Sequence, residues 1–137
     1  MKKLTAIMLV CMMLLPTVCI ADESLSKSGS EMSDAYAQAL SVFIALYDTG
    51  SEFNEDKANK LLEYSMMHLM GKIMYFAESE YATATMKKDI INGYAGLIGY
   101  YCELYQKYAE GEISLKQYVD FIISTVRSII EAEAKQK

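Results

Sequence analysis

The chain has 137 residues, with 18 acidic against 13 basic side chains, one histidine, one proline and no tryptophan. A net charge of −5 without a basic tract argues against nucleic acid or an anionic membrane surface as partner. Metal sites built on clustered cysteines and c-type haem attachment are excluded as well, because the three cysteines are scattered.

The first 21 residues read as an export signal. Lys2 and Lys3 form a short basic start, and residues 4–15 are apolar but too few to span a membrane. Pro16 ends that run. Cys19 and Ala21 place small residues on either side of Ile20, ahead of Asp22, as a cleavage site requires. The residues before Cys19 are Pro16, Thr17 and Val18, which fit a lipidation signal poorly. The expected product is cleaved after Ala21 and has no stable membrane insertion. Its destination is the periplasm first and the extracellular space second. The remaining 116 residues keep 11 of the 13 basic and all 18 acidic side chains, a net charge of −7. They suffice for one domain with one core. Cys102 is then the sole cysteine, to be buried or paired between chains.

Residues 22–30 are small and polar and read as a flexible N-terminal tail. The helical domain is expected over 31–137. Helix α1 is predicted over about 31–48, with its stripe on Met32, Ala35, Tyr36, Ala39, Leu40, Phe43, Leu46 and Tyr47. Gly50 is a natural stop, since glycine tolerates positive φ.

Helix α2 begins after Asn54, a good N-cap, with Glu55 and Asp56 complementing the helix dipole. It is the organising element of the chain. One apolar stripe comprises Leu62, Met66, Leu69, Met70, Ile73, Phe76 and Ala77. A second, nearly opposite at about 100° per residue, comprises Leu61, Tyr64, His68 and Tyr75. A helix apolar on two sides needs a neighbour on each. The second neighbour can be another helix, a second copy or a foreign protein.

The turn after α2 is placed at about 81–85, where Thr83 or Thr85 can cap helix α3, predicted over about 86–109. Its stripe is Ile90, Tyr94, Leu97, Ile98, Tyr101, Leu104, Tyr105 and Tyr108, and Gly111 ends it. Helix α4 opens on a capping box, Ser114 with Gln117 three positions on. Its stripe runs from Leu115 through Tyr118, Val119, Ile122 and Val126 to Ile129 and Ile130, and residues 131–137 are expected to fray. No strand alternation and no repeat occur. The fold class is therefore all-α: a single up-and-down bundle of about four helices.

Helix α3 carries Gly93, Gly96 and Gly99, which cost roughly 3 kcal/mol of helix propensity relative to alanine. Either a neighbouring helix approaches closely there, or the glycines floor a shallow groove walled by Tyr100. In α2, Met66, Met67, Met70 and Met74 with His68 offer thioether and imidazole donors suited to copper(I). Their helical angles do not converge on one ion, so core packing is expected, with no metal or cofactor. His68 has no second histidine to work with and no Ser or Cys nucleophile motif, so no catalytic residue is assigned.

Most of the 11 tyrosines sit on core stripes. Tyr64, Tyr75, Tyr100 and the off-stripe Phe121 do not, and aromatic residues of this kind are enriched at interfaces. The sequence points to an exported helical protein of inhibitor, immunity or adaptor type. Its work is binding a protein partner, or self-association, through Leu61, Tyr64, His68, Tyr75, Gly96, Tyr100 and Phe121. The alternative is a small-molecule or metal carrier with a Met- and Tyr-lined site between helices; an enzyme comes third.

Overall fold

A computed structural model describes residues 25–79 and 83–135. The predicted signal segment lies outside the described residues. Among them the protein is an all-α bundle of four helices without strands: α1 (Leu25–Asp48), α2 (Glu55–Glu78), α3 (Ala84–Ala109) and α4 (Leu115–Lys135).

The helix boundaries follow from local chemistry. Asn54 accepts from the Lys57 amide at 2.8 Å, and Thr83 from the Met86 amide at 3.2 Å. The capping box of α4 closes in both directions: the Gln117 amide donates to Ser114 Oγ at 3.1 Å, and the Ser114 amide to Gln117 Oε1 at 2.9 Å. Helices α1 and α3 both end on a glycine in the left-handed region, Gly50 at φ 83° and Gly111 at φ 76°. In each case the following amide reaches back to satisfy an orphan carbonyl, Ser51 to Leu46 and Glu112 to Lys107.

Successive helices run antiparallel, as their contacts show. Gly29 meets Gly71, and Ser33 meets His68, while Phe43 at the far end of α1 packs on Phe53. Phe76 of α2 stacks on Tyr94 of α3, and Tyr108 near the end of α3 lies parallel to Tyr118 near the start of α4, with centroids 4.6 Å apart. The α1–α2 pair is the most intimate in the bundle.

The core gathers Leu40 from α1, Leu61, Leu62 and Leu69 from α2, Tyr101 and Leu104 from α3, and Tyr118, Ile122 and Val126 from α4. Each such buried aliphatic side chain contributes about 1.5–3 kcal/mol over its exposed state. Helix α2 is the central element. Of its second stripe, Leu61 is fully buried, Tyr64 packs on Tyr36 and Phe43 of α1 and His68 meets Ser33 of α1, while Tyr75 stays exposed. Tyr101 is also fully buried, and its hydroxyl finds no hydrogen-bond partner among the described residues. The adjacent Ser65 donates instead to the Leu61 carbonyl at 2.6 Å.

Two sequence expectations need correction at the other end of the bundle. Residues 25–30, expected in a flexible tail, are helical. Gly29 is buried there because it lets the α1 backbone lie directly on α2: a Cβ on Gly29 would sit 2.9 Å from the Gly71 carbonyl oxygen. Helix α4 persists to Lys135 instead of fraying from residue 131, because Glu133 is tied to His68.

Candidate functional site

Two regions concentrate polar or aromatic groups beyond simple packing. Both lie toward the end of the bundle at which α1 and α3 begin and α2 and α4 finish.

The first is an aromatic ribbon on the surface. Tyr75 is 42% exposed and meets Phe76 edge to face at 5.2 Å. Phe76 stacks on Tyr94 across the α2–α3 junction, with centroids 6.1 Å apart and planes 23° apart. Lys87 of α3 donates to the Ala77 carbonyl at 3.3 Å, which fastens the two helices beside the ribbon. Sequence periodicity put Phe76 and Tyr94 on core stripes, but both are only half-buried. Phe76 stands in the last turn of α2, where fewer neighbours are available to cover it, whereas Tyr94 lies well inside α3.

The second is a buried polar cluster centred on His68, which is 2% exposed. Its Nε2 lies 2.9 Å from Glu133 Oε1 on α4. Its Nδ1 lies 3.1 Å from Ser33 Oγ and 2.9 Å from the Ser33 carbonyl oxygen, both on α1. Lys72 Nζ stands 3.9 Å from the same Glu133 oxygen. Tyr94 borders this carboxylate: burial first, then the Glu133 charge, holds its hydroxyl above the usual tyrosine range. The sequence missed the cluster because its members are 35 and 65 residues apart and Ser33 belongs to no apolar stripe.

A serine, an imidazole and a carboxylate in a hydrogen-bonded row have the composition of a nucleophile relay. Ser33 is 1% exposed, however, and the Gly29 and Gly71 backbones close over that side. Ser33 Oγ is therefore closed to solvent in this packing. What the arrangement does is join three helices through one side chain.

The seven residues assigned from sequence to a partner surface are divided by the structure. Leu61 and His68 are interior, which corrects their reading as surface residues: Leu61 is part of the buried core, and His68 is covered by Ser33 of α1 and Glu133 of α4. Tyr64 is half-buried between Tyr36, at 5.3 Å, and Phe43, at 5.7 Å. Tyr75, Tyr100 and Phe121 are exposed, on α2, α3 and α4 respectively. Gly96 faces open space, with no atom of the described residues within 4 Å of a Cβ placed there, and the same holds for Gly93 and Gly99. No neighbouring helix of the bundle therefore accounts for these glycines. The ring contacts of Tyr75 and Tyr100 run to Phe76 and Tyr101, not to each other. Cys102 is partly buried on α3 and packs against the core.

Among the described residues no group of three or more His, Cys, Asp or Glu side chains is placed to hold a metal ion, and no helix is long and apolar enough to cross a membrane. The chain matches no protein family, characterised protein or solved structure with which it was compared.

Proposed function

We propose that this protein is exported and acts by binding another protein through aromatic residues on α2 and α3. The observation that carries the reading is the Tyr75–Phe76–Tyr94 ribbon, with a tyrosine 42% exposed at its outer edge. Exposed, ordered aromatic rings supply large contact area at low entropic cost, which is how interface hot spots are built. Tyr100 and the open glycine face around Gly96 extend the surface along α3, and Phe121 adds a contact on α4. The acidic balance of residues 22–137, net −7, favours a basic partner and faster encounter with it. Export is supported by the basic start, short apolar run and small-residue cleavage motif of residues 1–21.

The test has two arms. A reporter fused to residues 1–21 is expected to leave the cytoplasm, with cleavage after Ala21; retention with an uncut N-terminus overturns the export half. The tagged protein, purified from the exported fraction, is expected to retain a protein that mass spectrometry identifies. The same protein should be lost from a Tyr75→Ala, Tyr100→Ala double variant that keeps its helical content. Equal retention by the variant removes the aromatic surface from the proposal.

A further inference from the structure

We propose that the outer face of α3 pairs with α3 of a second copy of this chain, antiparallel about a twofold axis at the middle of the helix. The face carries Lys88, Asp89, Gly96, Tyr100, Glu103 and Lys107, all of them exposed. At about 100° per residue they fall within about 80° of Gly96 around the helix. Tyr94 stands about 200° from Gly96 on the same count, so the aromatic ribbon stays open in such a pair. The glycines supply only room: no other helix of the bundle fills the space beside them. What names the occupant is the order of the charges along the face and the position of Tyr100 within it. The proposal goes beyond the reading of a foreign protein on the ribbon and does not rest on it.

Helix α3 runs from Ala84 to Ala109, so its midpoint lies between Gly96 and Leu97. A twofold axis there overlaps the two helices along their whole length, about 39 Å, and makes every contact twice. Tyr100 then stands level with Gly93 of the second copy, on the same side of the contact, and its ring lies over a position without a side chain. Asp89 comes within about 5 Å along the axis of Lys107 of the second copy, and Lys88 within about 3 Å of Glu103 of the second copy. Asp89 and Glu103 of the second copy are neighbours as well, with a lysine flanking each. None of the four charged groups makes an ion pair among the described residues, so pairing has no internal bridge to break. The antiparallel arrangement also opposes the two helix dipoles favourably. A strip about 39 Å long and about 10 Å wide covers on the order of 400 Å² per copy, half of a standard interface, and exposed ion pairs are weak. The pair is therefore reversible, not obligate.

The experiment is sedimentation velocity of the purified protein from about 1 μM to about 500 μM, with helical content of each variant checked by circular dichroism. A monomer–dimer equilibrium is expected, with a dissociation constant on the order of 100 μM at about 50 mM salt and several-fold weaker at about 500 mM. Lys107→Glu is expected to weaken it about tenfold, by facing Asp89 of the second copy with a like charge. Adding Asp89→Lys should restore it to within about twofold of wild type, because the double variant reverses the pair and returns the net charge. Lys60→Glu makes the same change of charge at an exposed position of α2 and should leave association within about twofold. Gly96→Gln, which holds the two backbones apart without adding charge, should weaken it about tenfold. A monomer throughout the range overturns the pairing. So does a dimer that Lys107→Glu leaves intact or Asp89→Lys fails to rescue, and so does one lost in Tyr75→Ala but kept in Gly96→Gln, which places the self-contact on the ribbon. Capture of a foreign protein by the ribbon is read separately, so the two proposals fail independently.

Discussion

Gly29 on α1 and Gly71 on α2 lie backbone against backbone: a Cβ on Gly71 would stand 2.8 Å from both the Gly29 carbonyl oxygen and the Ser33 amide nitrogen. Neither neighbour is a flexible side-chain tip, so an added methyl has to push the helices apart. Alanine improves helix propensity by about 1 kcal/mol, but overpacking of this kind costs about 1–3 kcal/mol and here also strains the Ser33–His68 contact. Gly71→Ala is expected to lower stability by about 1–2 kcal/mol net, read from the urea midpoint at unchanged m-value. An unchanged or raised midpoint would show that α1 is not seated this closely.

The opposite sign is expected on α3. Gly93, Gly96 and Gly99 have open space where a Cβ would go. Each substitution by alanine should therefore recover about 0.5–1 kcal/mol of helix propensity in the isolated protein. Thermal melts of the three single variants and the triple variant measure this directly, and near-additivity is expected since no shared neighbour couples them. If Gly96→Ala raises the melting temperature yet weakens capture of a partner, the glycine face serves binding at the expense of helix stability.

The contrast between these two sets of glycines marks what was legible in the sequence. Helix number and caps were readable because Asn54, Gly50, Gly111 and the Ser114–Gln117 pair act through neighbours in the chain. The two apolar stripes of α2 were also readable, along with the need for a neighbour on each. Which neighbour was not, because nothing local distinguishes a face covered by α1 from one left for a partner. The glycines of α3 drew attention by number, while the single Gly29 in a Ser- and Gly-rich stretch looked like tail. Close approach is a property of two helices together, and it needs one small residue on each, not a run of them on one. Ser33, His68 and Glu133 were invisible as a group for the same reason: they meet only after three helices assemble.

Tyr47 of α1 donates its hydroxyl to Asp120 Oδ1 of α4 at 2.7 Å. This bond, helped by Lys116, holds the Asp120 carboxyl below the usual range against the opposing effect of burial, and holds the Tyr47 hydroxyl above its own. Because the folded carboxyl is depressed, its contribution is complete above the unfolded carboxylate range and disappears as pH falls through the folded value. The raised tyrosine contributes below its unfolded value and is lost as pH rises through the folded one. Tyr47→Phe is expected to destabilise the protein by up to about 1 kcal/mol near neutral pH, given the partial exposure of the pair. Urea melts of wild type and variant should converge as the pH falls through the depressed folded value of Asp120, below the ordinary carboxylate range.

Tyr64 and Tyr75, on one helix and one stripe, should now behave differently. Tyr64 packs between Tyr36 and Phe43, so Tyr64→Ala is expected to cost about 2–3 kcal/mol and several degrees of melting temperature. Tyr75 is 42% exposed and its ring contact is with Phe76, so Tyr75→Ala should cost less than about 1 kcal/mol. Equal losses at the two sites would mean that Tyr75 is covered by something other than the four helices.

The two ends of the bundle are built from different materials. At one end α1 and α3 stop on left-handed glycines, each followed closely by a capped helix, and the Tyr108–Tyr118 stack lies just inside. At the other end the fastenings are the His68 cluster, the Gly29–Gly71 contact and one lysine on a carbonyl. Local opening is expected to start where the aromatic ribbon is and to proceed toward the glycine-capped turns. A partner seated on Tyr75, Phe76 and Tyr94 would suppress that opening, so occupancy of the ribbon and persistence of the α4 C-terminal turns become linked quantities. Proteolytic susceptibility near the end of α4 is then a remote gauge of whether the surface on α2 and α3 is engaged.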